Sequence, residues 1–257
     1  MSVEEERPVL VTGASGRAGG ALRQGLAGRC RLRLLDLRPP PDPGPEEEVV
    51  ANDIRDLGAL TDAAKGCRAI VHLAAIPHEA EHEAMLDVNL RGTYNAMEAA
   101  VSAGCERLVF ASSNHVTGYF PSDRRVDTSL PPRPDGLYAV SKVYGEALGR
   151  LYFDRDGLRV AAIRIGSLLP EASQPRHAHT WISHRDFAEL VWRCLETPEL
   201  GFLAVYGGSD NHNAYWDDRE AWRRIGYRPQ DSADAFAAPA PPDAYQGGHN
   251  VGRREWR

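Results

Sequence analysis

At 257 residues the chain fits one large domain, or one domain carrying a small lobe. With 42% hydrophobic residues, 26% charged residues and a net charge of −6, it has an ordinary globular composition and no general attraction for nucleic acid or an anionic membrane. No apolar run is long enough to span a membrane, Glu4-Glu5-Glu6 stands where a signal peptide would be basic, and the four scattered cysteines form no Cys-x-x-Cys pair, so reduced structural thiols, no metal site and a cytoplasmic setting are expected.

The first element is Val9-Leu10-Val11, a short β-branched run suited to a buried parallel strand. Thr12-Gly13-Ala14-Ser15-Gly16-Arg17-Ala18-Gly19 follows, and a helical segment is under way by Ala21-Leu22. Gly13, Gly16 and Gly19 make Gly-x-x-Gly-x-x-Gly. The first allows a tight turn, the second lets backbone approach a pyrophosphate, and the third lets helix pack on strand. Free N–H groups and the positive dipole end of the helix then face the anion. Gly13, Ser15, Gly16, Arg17 and Ala18 are therefore candidate cofactor contacts.

Leu32-Arg33-Leu34-Leu35 reads as the second strand and ends in Asp36. A carboxylate there accepts from the adenosine ribose hydroxyls and repels a 2′-phosphate, which favours NAD over NADP. Arg38 is the competing signal, a guanidinium suited to that phosphate. Asp36 and Leu37 join the candidate set. The proline-rich stretch 39–48 is a stiff surface loop with no function assigned. The strand over 49–54 brings Asp53 and Ile54 to its end. Asp53 is either an adenine contact or the N-cap of a helix over 57–65. Ala69-Ile70-Val71-His72-Leu73-Ala74-Ala75 is the fourth strand, and the small residues closing it let backbone pass near a dinucleotide, adding Leu73, Ala74 and Ala75. Asn89, within a helix over 85–103, is included with the cofactor contacts, the alternative being a structural asparagine.

Arg107-Leu108-Val109-Phe110-Ala111 is a buried strand leading into Ser112-Ser113-Asn114-His115. Downstream, Tyr138 and Lys142 stand four residues apart, on one face of a helix. A phenol is too weakly acidic for a general base at neutral pH, and a nearby ammonium favours its phenolate. The glycine loop, the strand-end Asp36, a strand-end serine and Tyr-x-x-x-Lys together resemble the extended branch of the short-chain dehydrogenase/reductase superfamily. That resemblance implies an α/β fold, a Rossmann-like doubly wound parallel sheet with a small C-terminal substrate lobe. It also implies a catalytic set of Ser113, Tyr138 and Lys142, in which lysine holds the nicotinamide ribose as well. Ser113 is preferred to Ser112 because its place after Val109-Phe110 matches the catalytic serine of sugar epimerases in that branch.

Four segments carry a narrower likeness, to bacterial uronate dehydrogenases: Phe110-Ala111-Ser112-Ser113-Asn114-His115, Arg133-Pro134-Asp135-Gly136-Leu137-Tyr138, Arg164-Ile165-Gly166-Ser167 and Thr180-Trp181-Ile182-Ser183-His184. The similarity runs from the glycine loop to about Phe236. It implies oxidation of a hexuronate, glucuronate or galacturonate, at C1 with NAD to an aldarolactone, and self-association through the long helices flanking Tyr138. Ile165, at the end of the strand over 159–166, is then a cofactor contact. Ser113, Asn114, His115, Tyr138, Ser167 and Arg176 are the substrate contacts, with the planar guanidinium of Arg176 binding the C6 carboxylate. Pro77 departs from the family, which has a serine after its small-residue turn, and proline supplies neither hydroxyl nor N–H.

Residues 1–236 are expected to form a single NAD(P)-binding domain with substrate elements mainly from 166–236, and 237–257, rich in Ala, Pro and Gly, a poorly ordered tail. The remainder after Lys142 is short for gripping a nucleotide-linked sugar, which points to a small free substrate. Ser183 caps the helix over 187–196, and Tyr206, Tyr215, Trp216 and Trp222 read as lobe core. Two alternatives stay open: an epimerase or reductase acting on another sugar or secondary alcohol, and a non-catalytic NAD-binding regulator.

Overall fold

The computed structural model describes residues 7–235, 243–248 and 251. Seven parallel strands form the frame: β1 Val9–Thr12, β2 Leu32–Asp36, β3 Glu47–Ala51, β4 Ala69–His72, β5 Arg107–Ser113, β6 Arg159–Ile165 and, after two short strands, β9 Phe202–Gly207. Their order is β3-β2-β1-β4-β5-β6-β9, the doubly wound arrangement expected from the sequence. The direction of winding reverses between β1 and β4, so their C-terminal ends open a crevice there. The short strands, β7 Ser167–Leu168 and β8 Trp181–Ile182, pair with each other outside the main sheet.

Alternation along each strand sends side chains to opposite faces, and each face is covered. Val9, Val11, Leu34, Val71 and Ile163 pack with Leu22 and Leu26 of α1 (Arg17–Leu26) and with Phe187, Leu190 and Val191 of a later helix, His184–Glu196. Leu10, Leu35, Ile70 and Phe110 point the other way, onto Leu60 of α2 (Leu57–Ala64), Met97 and Ala100 of a central helix, and Tyr152 further on. Full burial of each large apolar side chain contributes about 1.5–3 kcal/mol, so these two layers hold the sheet.

The central helix is continuous but not uniform: α3 His82–Ala84 passes through a π-helical turn Met85–Leu90 into α4 Arg91–Ser102. Next comes α5 Leu137–Asp156, twenty residues long, ended by Gly157 in the left-handed region (φ +73°). Gly145 lets α5 sit close on the sheet, since a Cβ there would run into the ring of Phe110 on β5. The remaining helices are α6 His177–Thr180, α7 His184–Glu196 and α8 Arg219–Arg224. The Ser183 hydroxyl caps α7, accepting from Asp186 N–H at 3.0 Å.

A smaller core of Phe120, Val126, Tyr206, Tyr215 and Trp216 supports the substrate lobe, with the rings of Tyr206 and Trp216 stacked at 4.9 Å. Residues 243–248, within the stretch expected to lack order, pack onto this lobe. Gln246 N–H donates to Phe120 carbonyl at 3.0 Å and Gly247 N–H to Gly118 carbonyl at 2.9 Å. Backbone pairing, invisible in an Ala/Pro/Gly-rich composition, accounts for that difference. Residues 236–242, 249–250 and 252–257 lie outside the described residues. Among the described residues no helix is long and apolar enough to cross a membrane, and no His/Cys/Asp/Glu cluster is suited to a metal ion.

Candidate active site

A cleft of about 940 Å³ runs along the C-terminal edge of the sheet, from the glycine loop to Arg176. Its floor begins at Gly13, whose φ of +72° makes the turn out of β1. A Cβ on Gly13 would stand 2.7 Å from Ala74 N, so the loop after β4 passes close by. Gly16 is the N-cap of α1, with no side chain capping that end. The N–H groups of Arg17 and Ala18 find no acceptor among the described residues. This end of α1 is thus a backbone cradle with unfilled donors and a positive dipole, as a pyrophosphate requires.

Asp36 closes the same end. Its carboxylate accepts from Ser15 N–H (3.1 Å) and Arg38 N–H (3.3 Å), which pins it beside the loop. Asp36 and Leu37 line the cleft and Arg38 does not, an arrangement that matches ribose hydroxyls rather than a 2′-phosphate. Asp53 and Ile54 also line it. Asp53 is not the cap of α2; Asp56 is, accepting from Ala59 N–H at 2.9 Å. The carboxyl of Asp53 is instead held below the usual carboxylate range, chiefly by hydrogen bonds from the Arg55 side chain.

The reactive groups converge from β5 and α5. Tyr138, Lys142 and Glu146 recur every four residues on α5 and face the sheet. Glu146 anchors this face: it accepts from Ser112 Oγ (2.6 Å) and from Arg164 Nε and Nη2 (2.9 and 2.8 Å) on β6. Ser112 is therefore committed to the scaffold. Ser113, the next residue, lines the cleft beside Tyr138 and accepts from His115 N–H at 3.2 Å. Burial pushes the Tyr138 phenol above its usual value, and Ser113 draws it down. Lys142 is only 4% exposed and burial lowers its ammonium to about 7. Its Nζ stands 5.5 Å from the Tyr138 ring centre and 5.1 Å from that of Phe110. Beneath it, His72 is fully buried between Thr12 (2.8 Å) and Thr93 (3.5 Å), and burial, then Lys142, pushes it down to about 3. A neutral imidazole thus forms the floor below the lysine.

Two segments beyond β5 and β6 complete the other end. Asn114 and His115 open the 3₁₀ turn Asn114–Thr117. The Asp135 carboxylate accepts from His115 Nδ1 at 2.7 Å, and the Asn114 amide nitrogen is buried without a partner. Ser167 shares a hydrogen bond with Thr180 Oγ1 (2.8 Å) and accepts from Arg176 Nη1 (3.3 Å). Arg176 lines the cleft and donates from Nη2 to Gln246 carbonyl at 2.8 Å. Burial lowers its affinity for the proton, and no described carboxylate forms an ion pair with it.

Most residues singled out from the sequence therefore line one cleft: Gly13, Gly16, Arg17, Ala18, Leu73, Ala74, Ala75 and Ile165 on the cofactor side, with the substrate and catalytic candidates beyond. Two do not. Asn89 is buried, and its amide is spent on both backbone groups of Ile76 (2.8 and 3.1 Å) and on Ser141 (3.1 Å). Ser15 stays at the rim, its hydroxyl donating to Arg38 carbonyl at 2.6 Å. Sequence reasoning missed Asn52, Arg55 and Val88 as lining residues, and Asp135 and Glu79 behind them. Glu79 accepts from Leu137 N–H (3.1 Å) and Tyr138 N–H (3.0 Å), capping α5 from a distant loop. Only the Gly136 beside it hinted at that contact, since a Cβ there would strike the carboxylate.

The model of the NAD dependent epimerase/dehydratase family matches residues 9–185, from β1 into α7. The chain belongs to that family. NAD is accordingly its cofactor, and the cradle at Gly13–Ala18 with Asp36 fits it. The chain is 41% identical to the uronate dehydrogenase of Pseudomonas putida, over 93% of this chain and 94% of that protein. It is 37% identical to an NAD-dependent glucose-6-phosphate dehydrogenase of Haloferax volcanii, over 92% and 98%. Among solved structures, a mutant uronate dehydrogenase from Agrobacterium tumefaciens, complexed with NAD, superimposes with a TM-score of 0.90 at 42% identity, covering 96% of this chain and 97% of that one.

Proposed function

We propose that this chain oxidises a hexuronate, glucuronate or galacturonate, at C1 to the aldarolactone with NAD. The observation that carries the reading is Arg176, a cleft-lining guanidinium with no described carboxylate partner, in the same cleft as Ser113, Tyr138 and Lys142. Similarity to uronate dehydrogenases across nearly the whole chain supports it.

In this reading bound NAD supplies the acceptor for the electron pair leaving C1. Gly13, Gly16, Arg17 and Ala18 hold its pyrophosphate, Asp36 and Leu37 its adenosine ribose, and Lys142 its nicotinamide ribose. Tyr138 takes the proton of the C1 hydroxyl. Burial opposes phenolate formation, so the Ser113 hydroxyl and the Lys142 cation must offset that cost. With substrate in place the single Ser113 proton goes to the substrate oxygen as it gains charge, and the Lys142 cation is left to favour the phenolate. Asn114, with its unpartnered amide nitrogen, and His115, fixed by Asp135, bind sugar hydroxyls. Arg176 grips the remote carboxylate and turns that binding into orientation at C1.

A second reading, oxidation of another sugar at C1, draws on Pro77, which lines the cleft where the family has serine, and on the Haloferax relative. The test is NADH absorbance with glucuronate, galacturonate, glucose, glucose 6-phosphate and UDP-glucose in parallel. Rates confined to the uronates support the proposal; a preference for glucose 6-phosphate overturns it. Tyr138→Phe is expected to abolish turnover while NAD still binds.

The enzyme is further proposed to be cytoplasmic, in keeping with four buried free thiols, and to self-associate. Tyr94 and Val101 on α4 and Val140 and Leu151 on α5 leave large apolar side chains exposed on the two long helices. Light scattering on the purified protein tests the second point, and a monomer would refute it.

A further inference from the structure

We infer that residues 243–248 form a strap that positions Arg176 and His115 for the sugar, so that the chain's end sets substrate affinity; the inference rests on the proposed function. The strap is fastened independently of any ligand. Tyr245 bridges to Pro121 and packs edge-on against Tyr119 at 5.6 Å. Gln246, 1% exposed, donates from Nε2 to Pro121 carbonyl (3.2 Å) and Arg124 carbonyl (2.7 Å).

Two of its contacts reach the substrate end of the cleft. The Gln246 carbonyl accepts from Arg176 Nη2 at 2.8 Å, while Gly248, at φ +81°, lies so close that a Cβ there would stand 2.9 Å from Arg176 Nε. Gly247 packs on Asp135, where a Cβ would strike the carboxylate that holds His115 Nδ1. The strap therefore presses on Arg176 directly and on His115 through Asp135. The Gln246 carbonyl orients the guanidinium. The Asp243 and Asp135 carboxylates are near enough to favour its charge, but neither forms an ion pair with it among the described residues, which leaves that charge for an incoming carboxylate. A long arginine side chain held in place before binding loses less rotamer freedom when the substrate arrives.

The experiment uses two full-length variants, Gln246→Ala, which unfastens the strap, and Gly247→Val, which drives a side chain at Asp135. Three quantities are read: uronate and NAD kinetics, hydrogen exchange across residues 172–180 without substrate, and Tm. Expected are a uronate KM raised about tenfold, kcat and the NAD KM changed less than about twofold, and faster exchange over 172–180. A lower Tm with uronate KM and exchange unchanged makes the segment merely structural and overturns the inference. Should the unmodified chain oxidise neither uronate, the functional proposal falls, and exchange alone decides: faster exchange in Gln246→Ala upholds the strap, unchanged exchange refutes it.

Discussion

Lys142 gives the sharpest test of the site's electrostatics. Burial alone lowers its ammonium from 10.5 to about 7. Unfolded, the same lysine titrates near its ordinary value of about 10.4. Below about pH 7 both states carry the proton and the native state bears the full penalty of a buried charge. Between the two values the unfolded chain binds more protons than the native one, so stability rises with pH. At ~1.36 kcal/mol per pK unit, the gain between about pH 6 and about pH 8 comes to about 1.4 kcal/mol. Urea unfolding of the NAD-free protein across that range measures it, with Lys142→Met as the reference that keeps the bulk and removes the charge. Other titrating groups are common to both proteins, and His72, pushed down to about 3, stays neutral throughout. The wild-type curve is expected to rise by about 1.4 kcal/mol more than the variant's. Parallel curves would refute the claim that this lysine is a desolvated cation.

Three further outcomes are expected. Arg176→Ala should lower kcat/KM for the preferred uronate by roughly tenfold to hundredfold, the loss of a charge-assisted hydrogen bond of ~1.5–3 kcal/mol, with any slow glucose rate unaffected. Glu146→Ala leaves Arg164, its side chain 4% exposed, buried without its carboxylate, and should cost about 3–5 kcal/mol in urea unfolding, whereas Glu146→Gln should cost less. Glu79→Ala strips the acceptor from the first turn of α5 and should cost about 1 kcal/mol while lowering kcat, because the Tyr138 backbone itself is released; an unchanged kcat would count against that link.

β1, β2, β4, β5 and β6 were legible as short, largely buried apolar runs, and the glycine loop because its spacing serves a stated geometry. β3, mostly exposed, opens at Glu47-Glu48 inside the stretch read as loop, and β9 Phe202–Gly207 was not read as a strand. Asp36, Tyr138 and Lys142 stand out by position, at a strand end or along a helix, whereas Ser113 is told from Ser112 only by the family resemblance; the structure brings all four to one cleft. The roles of Asp135, Glu79 and Gln246 were not legible. Each acts through a loop on a residue far along the chain, with Gln246 and Arg176 seventy residues apart, and no local pattern records such a meeting. For Asn89, read as a cofactor contact or a structural asparagine, the structure shows the amide bonded to both backbone groups of Ile76. The acidity of Tyr138 was also only half visible, since a Tyr–Lys spacing shows the cation and hides the burial that opposes it.

The widened turn at Met85–Leu90 has a practical consequence. It aims Asn89 at both the N–H and the carbonyl of Ile76 while touching Ser141, three residues after Tyr138. The segment bearing Pro77, the central helix and the reactive helix are thereby one mechanical part. Grafting that segment from a relative to retune sugar choice would have to import its matching helical turn as well. Shortening the turn by one residue would swing the amide away, leave Ile76 unbonded, and loosen the wall that the graft was meant to reshape.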